Sequence, residues 1–325
     1  MKNRTAEALP RTPTPAPTLT QASPPLQPKS RRNLLQLRED IAGYAFISPM
    51  LIGLLVFTLF PILASFFLSF TNWNFVSGFS KTKFVGLDNF LRLFKDDIFL
   101  KSLENNLILM LVVPITLAFS LVLAVLIDQK IFFKDLFKVV YFIPYISSIV
   151  AVAIVFQVLL HPSYGPINQL LMSLGMEDPP KWLGDTDYAL YCVMGLMIWV
   201  NIGYNMIIFM AGLQSIPKDL YEAAEIDGAS KLRQFFRITL PLLSPTTFFL
   251  LVTGIIGSFK VFDLIAVLTN GGPANSTTVV VYRLYETAFV NLQSGYASSM
   301  AIVLLFCVLL VTLIQWYGQK KWVNY

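Results

Sequence analysis

The sequence predicts an all-α membrane protein with six transmembrane helices. Three observations lead there. Of the 325 residues, 55% are hydrophobic and only 13% are charged, about half the charged share of an ordinary soluble domain. The apolar residues gather into six runs, each long enough for the ~20-residue helix that a bilayer requires. Lysine and arginine then concentrate in the loops that six crossings place on one side.

Taken in order, residues 1–35 are rich in Pro, Thr, Ser and Ala. Such a segment buries too little apolar surface to offset its ordering entropy and reads as a disordered tail. It lacks the apolar core of a signal peptide. Residues 36–325 form the membrane domain. Span one is expected from about Ile41 to Phe70, with Pro49 and Pro61 able to bend it. The loop from Thr71 to Glu104 contains FVGLDNFLRLF, which suggests a short amphipathic helix. Span two covers about Asn105 to Ile127 and span three about Val139 to Leu160. The loop His161–Asp187 has four acidic residues, Glu177, Asp178, Asp185 and Asp187, against Lys181 alone. Span four runs from Tyr188 to Leu213, and span five from Pro245 through FFLLVTGIIGSFKVFDLIAVLT as one helix. Asn270-Gly271-Gly272-Pro273 is a turn, and span six is about Ala297 to Tyr317.

With six spans both termini share a side. That side, with the 128–138 and 214–245 loops, holds about twice the Lys and Arg of the opposite one, so it is expected to be cytoplasmic. The 71–104 loop opposes the rule with its five basic residues. The net charge of +5 flanks the spans and forms no stripe, so nucleic acid is not an expected partner; membrane lipid is. Cys192 and Cys307 lie in apolar runs and read as buried hydrophobes. His161 stands alone, and no metal site is expected. No phosphate-cradling loop ending in GK[ST], no HExxH, no GxSxG and no CxxC occurs. The chain therefore carries no visible catalytic constellation, and an enzyme is not expected.

The longest polar interruption among the later spans is Gln214–Pro245. It reads as two short helices broken at Gly228. Pro217 suits the first turn and Ser215 its cap, and Leu220, Ala223 and Ala224 share one face. Ser230 caps the second helix, in which Leu232, Phe235 and Phe236 repeat the spacing; Pro241 and Pro245 mark entry into span five. The pattern Glu222-Ala223-Ala224, three residues, Gly228, nine residues, Ile238-x-Leu240-Pro241 resembles the EAA motif of binding-protein-dependent ABC importer permeases. FVGLDNF, WVNIGYNMIIFMAGLQSIP and FKVFDLIAVLTNGGPANST are similar to the carbohydrate class of that family, the maltose-transporter type.

The resemblance covers roughly residues 40–325. It implies a permease subunit in a bacterial plasma (inner) membrane, with a cytoplasmic coupling-helix loop between spans four and five. It implies a second homologous permease, two ABC ATPase subunits and an extracytoplasmic sugar-binding protein as partners. It implies that this chain binds no cofactor, ATP and Mg being held by the ATPase subunits. Tyr221, Glu222, Ala223, Ala224, Asp227, Gly228, Ile238, Leu240 and Pro241 would then serve ATPase coupling, Glu222 through a basic residue of the ATPase. The substrate would be a sugar or oligosaccharide, the alternative being glycerol phosphate or another polyol derivative. No large extra domain separates the spans, so contacts to the binding protein would come from short loops such as 161–187 and 270–296.

Polar residues inside spans point to a pathway or to contacts between helices. Asn201, Tyr204 and Asn205 fall at i, i+3 and i+4, so one face presents two amides and a phenol, groups suited to sugar hydroxyls. Gln157 is a weaker candidate near the end of span three. Lys260 and Asp263 in span five read either as an i,i+3 ion pair or as a possible outer gate. A membrane-embedded enzyme acting on a lipid-linked substrate would need converging acids, bases or metal ligands, and only that pair offers itself. A secondary carrier would need internal repeats and midplane carboxylates, and neither is visible.

Overall fold

The computed structural model describes residues 34–76, 78–128 and 132–323. Most of the expected 1–35 tail lies outside the described residues. The regular structure among them is helical, apart from one isolated bridge between Thr71 and Phe84.

The chain divides into two units, 1–58 and 59–325. The first contributes α1 (Leu34–Leu54), charged at Arg38, Glu39 and Asp40 and mostly apolar beyond them, with Pro49 inside it. The second opens with α2 (Phe60–Leu68), the short α3 (Asp88–Leu93), α4 (Asp97–Met110) and α5 (Val112–Asp128). Next come α6 (Lys134–Ile146), α7 (Ile149–Leu159), α8 (Pro166–Ser173) and the long α9 (Ala189–Gln214). Then α10 (Lys218–Ile226), α11 (Lys231–Gln234), α12 (Leu240–Leu242) and α13 (Ser244–Phe259) follow. The last are α14 (Asp263–Leu268), α15 (Val280–Tyr285) and α16 (Ser294–Gln319). The short α3 is the helix expected in FVGLDNFLRLF.

Four helical runs among the described residues are long and apolar enough to cross a membrane: 37–68, 97–128, 189–214 and 294–319. Two bent pairs bring the number to six if each is one span: α6 with α7, bent by 95°, and 231–242 with α13, bent by 61°. Local chemistry accounts for the first of these bends. Pro144 lies in the last turn of α6, just before Ser147 leaves the helix with extended backbone. A proline ring crowds the carbonyl four residues back and offers no N–H. The same conflict explains the π-helical turns Leu55–Leu59 and Phe235–Thr239, each ending two residues before a proline, Pro61 and Pro241.

The expected course of span five is corrected, as that of span three is by the bend between α6 and α7. Span five is not one helix through residue 269: α13 stops at Phe259, and α14 starts at Asp263 and packs on α7. Lys260 and Asp263 therefore flank a break instead of sharing a helical face.

The core lies around α5 and α9, where Met206 and Phe209 are fully enclosed with Leu117, Leu250 and Phe259. In an apolar solvent, helices associate through close packing and hydrogen bonds between them. Both occur here. The Ser120 hydroxyl of α5 donates to the Ile202 carbonyl of α9 at 3.0 Å. Gly203 brings α9 directly against the α6 backbone at Tyr141.

Candidate functional site

A cavity of about 410 Å³ opens between α5, α9, the α6–α7 corner and the break between α13 and α14. Asn201, Tyr204 and Asn205 line it from α9, as their spacing on one helical face requires. Lys260 and Asp263 line it from the break after α13, and Tyr145 and Ile149 from either side of the α6–α7 corner. The sequence thus named five residues, from two separate spans, that share one cavity.

Their polar groups stand largely uncommitted. The Asn201 amide donates to the Met197 carbonyl at 2.8 Å, which leaves its oxygen for the cavity. The Asn205 side chain makes no hydrogen bond among the described residues. Neither Lys260 nor Asp263 forms an ion pair among them, with each other or with a neighbour. The Tyr204 ring stacks on Tyr145, centroids 4.6 Å apart and planes 17° from parallel. An aromatic surface beside two amides, a cation and an anion matches a ligand rich in hydroxyls, with apolar faces between them. No group of three or more His, Cys, Asp or Glu that could hold a metal occurs among the described residues.

Gln157 does not join them. Its amide donates to the carbonyls of Val267 at 2.5 Å and Leu268 at 3.1 Å, closing the C-terminal end of α14. Two residues went unnoticed in the sequence, Asn105 and Asn106 on α4, both fully buried. Consecutive amides at the edge of an apolar run were the available signal. Asn105 donates to the Thr278 carbonyl at 2.8 Å, and Asn106 accepts from the Val280 N–H at 2.9 Å.

The 214–245 loop is a second constellation. Gly228 has φ +72 and follows α10. The Ala229 N–H bonds to the Ala224 carbonyl at 2.9 Å, and the Gly228 N–H to the Glu225 carbonyl at 3.0 Å. That is a Schellman ending, which needs the left-handed conformation a glycine adopts without strain. Lys231 pairs with Glu225 across the bend, and the bond from its ammonium holds the Glu225 carboxyl below its usual range. Ser230 caps α11 by accepting from the Arg233 N–H. Ser215 does not cap α10: it ends α9, its hydroxyl donating to the Gly212 carbonyl, and Pro217 stands in the cap position.

Tyr221 and Ile238 pack inward, the Tyr221 hydroxyl lying 2.9 Å from that of Thr239. Glu222, Ala223, Asp227 and Gly228 are exposed, Ala224 and Pro241 half-buried, and Leu240 lies at the margin. Ile226, 87% exposed, and Leu232, 69% exposed, add apolar surface beside them.

Residues 116–322 match the family described as binding-protein-dependent transport system inner membrane component. This chain belongs to that family. It is the membrane-spanning permease subunit of an ABC importer. The probable ABC transporter permease protein YesP of Bacillus subtilis is 38% identical over 89% of this chain and 93% of its own length. The lactose transport system permease protein LacF of Rhizobium radiobacter is 33% identical, over 89% and 98%. The sn-glycerol-3-phosphate transport system permease protein UgpA of Pectobacterium atrosepticum is 34% identical, over 89% and 97%. Among solved structures, a chain of a bacterial alginate ABC transporter, crystallised with an alginate pentasaccharide-bound periplasmic protein, superimposes with a TM-score of 0.79. It is 25% identical to the permease, covering 89% of this chain and 98% of that one.

Proposed function

We propose that this permease imports a sugar or oligosaccharide, and that the cavity faced by Asn201, Tyr204 and Asn205 lies on its path. The observation that carries the reading is the meeting of these groups with Lys260 and Asp263 in one cavity beside the α6–α7 corner and the α13–α14 break. In secondary transporters, substrate sites are typically formed by discontinuous helices bordering a polar cavity, and the same physical need to offer free polar groups at membrane depth applies here. The amides would exchange hydrogen bonds with hydroxyls, and the Tyr145–Tyr204 stack would lie against the apolar face of a sugar ring. The relatives named for lactose and for alginate support a saccharide.

In this reading the 214–245 loop is cytoplasmic, as are both termini, and α10 with α11 docks on an ATPase subunit. Its exposed Glu222, Ala223 and Asp227 and the apolar Ile226 and Leu232 would form the contact, and Gly228 would hold the angle between the two helices. A second homologous permease, two ATPase subunits and an extracytoplasmic sugar-binding protein complete the importer. This chain binds no cofactor; ATP and Mg belong to the ATPase subunits, whose closure would move the docked loop and drive alternating access. A second reading, glycerol phosphate or another polyol derivative, is favoured by the similarity to UgpA and by Lys260 in the cavity, which has no ion-pair partner among the described residues.

Purification of the tagged permease from native membranes in mild detergent, with mass spectrometry of the associated chains, tests the assembly. Recovery of an ATPase, a second permease and a binding protein is expected. A solitary chain, from membranes whose other transporters remain intact, overturns it. Ligands eluted from the co-purified binding protein separate a saccharide from a phosphorylated polyol.

A further inference from the structure

The break between α13 and α14 has no proline or glycine in it: its residues are Lys260, Val261 and Phe262. A helix that ends inside a membrane domain leaves carbonyls without partners, and the next helix begins with unpaired N–H groups. Asn106 of α4 ties the end of α13 to the start of α15. Its amide nitrogen donates at 3.3 Å to the carbonyl of Ser258, two residues before Lys260. Its amide oxygen accepts at 2.9 Å from the N–H of Val280, the first residue of α15. Asn106 is fully buried, so both bonds form away from water. Asn105 secures the same stretch at the Thr278 carbonyl.

We infer that Asn106 is a positioning residue for transport: it fixes the end of α13, and with it Lys260 in the cavity wall, to α4, so that this part of the wall follows span two. The inference rests on the cavity lying on the substrate path. Asn106 itself is absent from the cavity lining and acts through the backbone at Ser258. Its loss is expected to loosen one wall while leaving the body of α13 in place.

The test uses the full transporter in native membranes, with Cys192 and Cys307 replaced by alanine. A single cysteine is introduced as Lys260→Cys or, as control on the same cavity but within α13, as Thr253→Cys. Each is combined with Asn106→Leu, which removes both bonds. Each is also combined with Asn106→Asp, which keeps the volume and the acceptor for Val280 but loses the donor to Ser258. The readout is the rate of reaction with a membrane-impermeant methanethiosulfonate reagent. At position 260 both variants are expected to change the rate by about fivefold, the factor that one lost net hydrogen bond makes in a local opening equilibrium. At position 253 the rate stays as before, which a general loss of structure would not produce. Equal rates at 260 in all backgrounds overturn the role of Asn106 alone. Failure of Asn106→Asp to assemble also overturns it, because a positioning role leaves the bundle intact. No reaction at either cysteine in any background overturns the cavity reading and this inference with it.

Discussion

Gly203 of α9 lies so close to Tyr141 of α6 that a Cβ added to the glycine would sit 1.9 Å from the tyrosine carbonyl oxygen. The contact is backbone to backbone, so no side-chain rotation relieves it. Directly beside it, Tyr204 stacks on Tyr145, and both rings face the cavity. The glycine therefore sets how closely two walls of the candidate site approach.

Gly203→Ala is expected to force α6 away from α9 and to cost about 1–3 kcal/mol, the usual range for overpacking. Gly195, two turns earlier on the same helix, is the control: a Cβ there meets nothing within 4 Å. Gly195→Ala is expected to be neutral, or to stabilise by roughly 0.5–1 kcal/mol through helix propensity. Thermal unfolding of the detergent-solubilised transporter distinguishes them. Equal midpoints for the two variants would show that the α6–α9 contact yields freely.

Gly228 poses the opposite case. A Cβ there touches nothing within 4 Å, yet φ is +72. The cost of Gly228→Ala is conformational, roughly 1–2 kcal/mol for an L residue in the left-handed region, and Gly228→Asn should cost less. Gly228→Pro is incompatible with that φ and also removes the N–H that bonds to Glu225. It is expected to abolish uptake while ATP hydrolysis continues and the protein stays in the membrane. Uptake at the native rate would remove the loop from coupling.

What was legible in the sequence follows the range of the interactions responsible. The bend at Gly228, the cap at Ser230 and the shared face of Asn201, Tyr204 and Asn205 are decided within four residues of chain, and local spacing revealed them. The break at Lys260 is decided at long range. Its freed carbonyl is met by Asn106, 152 positions away, and α14 is closed by Gln157, 110 positions away from Val267. No local window contains those partners, so the segment read as one continuous helix. The same omission made Gln157 look free to line a pathway. The corner between α6 and α7 was within local reach, since Pro144 and the pair Ser147–Ser148 mark it, but an apolar run of span length masked them.

The Asn205 side chain makes no hydrogen bond among the described residues, whereas that of Asn201 already donates to Met197. Asn205→Ala is therefore expected to weaken sugar recognition more than Asn201→Ala. One lost net hydrogen bond of about 1 kcal/mol corresponds to a roughly fivefold rise in the concentration that half-saturates uptake. Uptake of labelled saccharide by membrane vesicles holding the complete transporter measures this. Unchanged half-saturation for Asn205→Ala would take that residue off the path.

Asp96 gathers four groups at the head of α4. It caps the helix by accepting from the Ile98 and Phe99 N–H groups, each at 3.0 Å. It also accepts from the Tyr296 hydroxyl at 2.9 Å and faces Arg283 at 3.5 Å. Burial alone would raise its carboxyl, but the Phe99 N–H, the Tyr296 hydroxyl and the Arg283 guanidinium together hold it below the usual carboxylate value. Near pH 4 the unfolded chain therefore binds more protons at this site than the folded one. The stabilisation from Asp96 is complete above the unfolded value of about 3.9 and is lost as pH falls through the lower folded value. Asp96→Asn keeps a good cap residue but cannot ionise. Its thermal midpoint should start below that of the native protein at pH 6, and the gap should close as the pH falls below about 4. A gap that stayed constant from pH 6 to the acid limit would show that the charge of Asp96 contributes nothing to holding α4, α15 and α16 together.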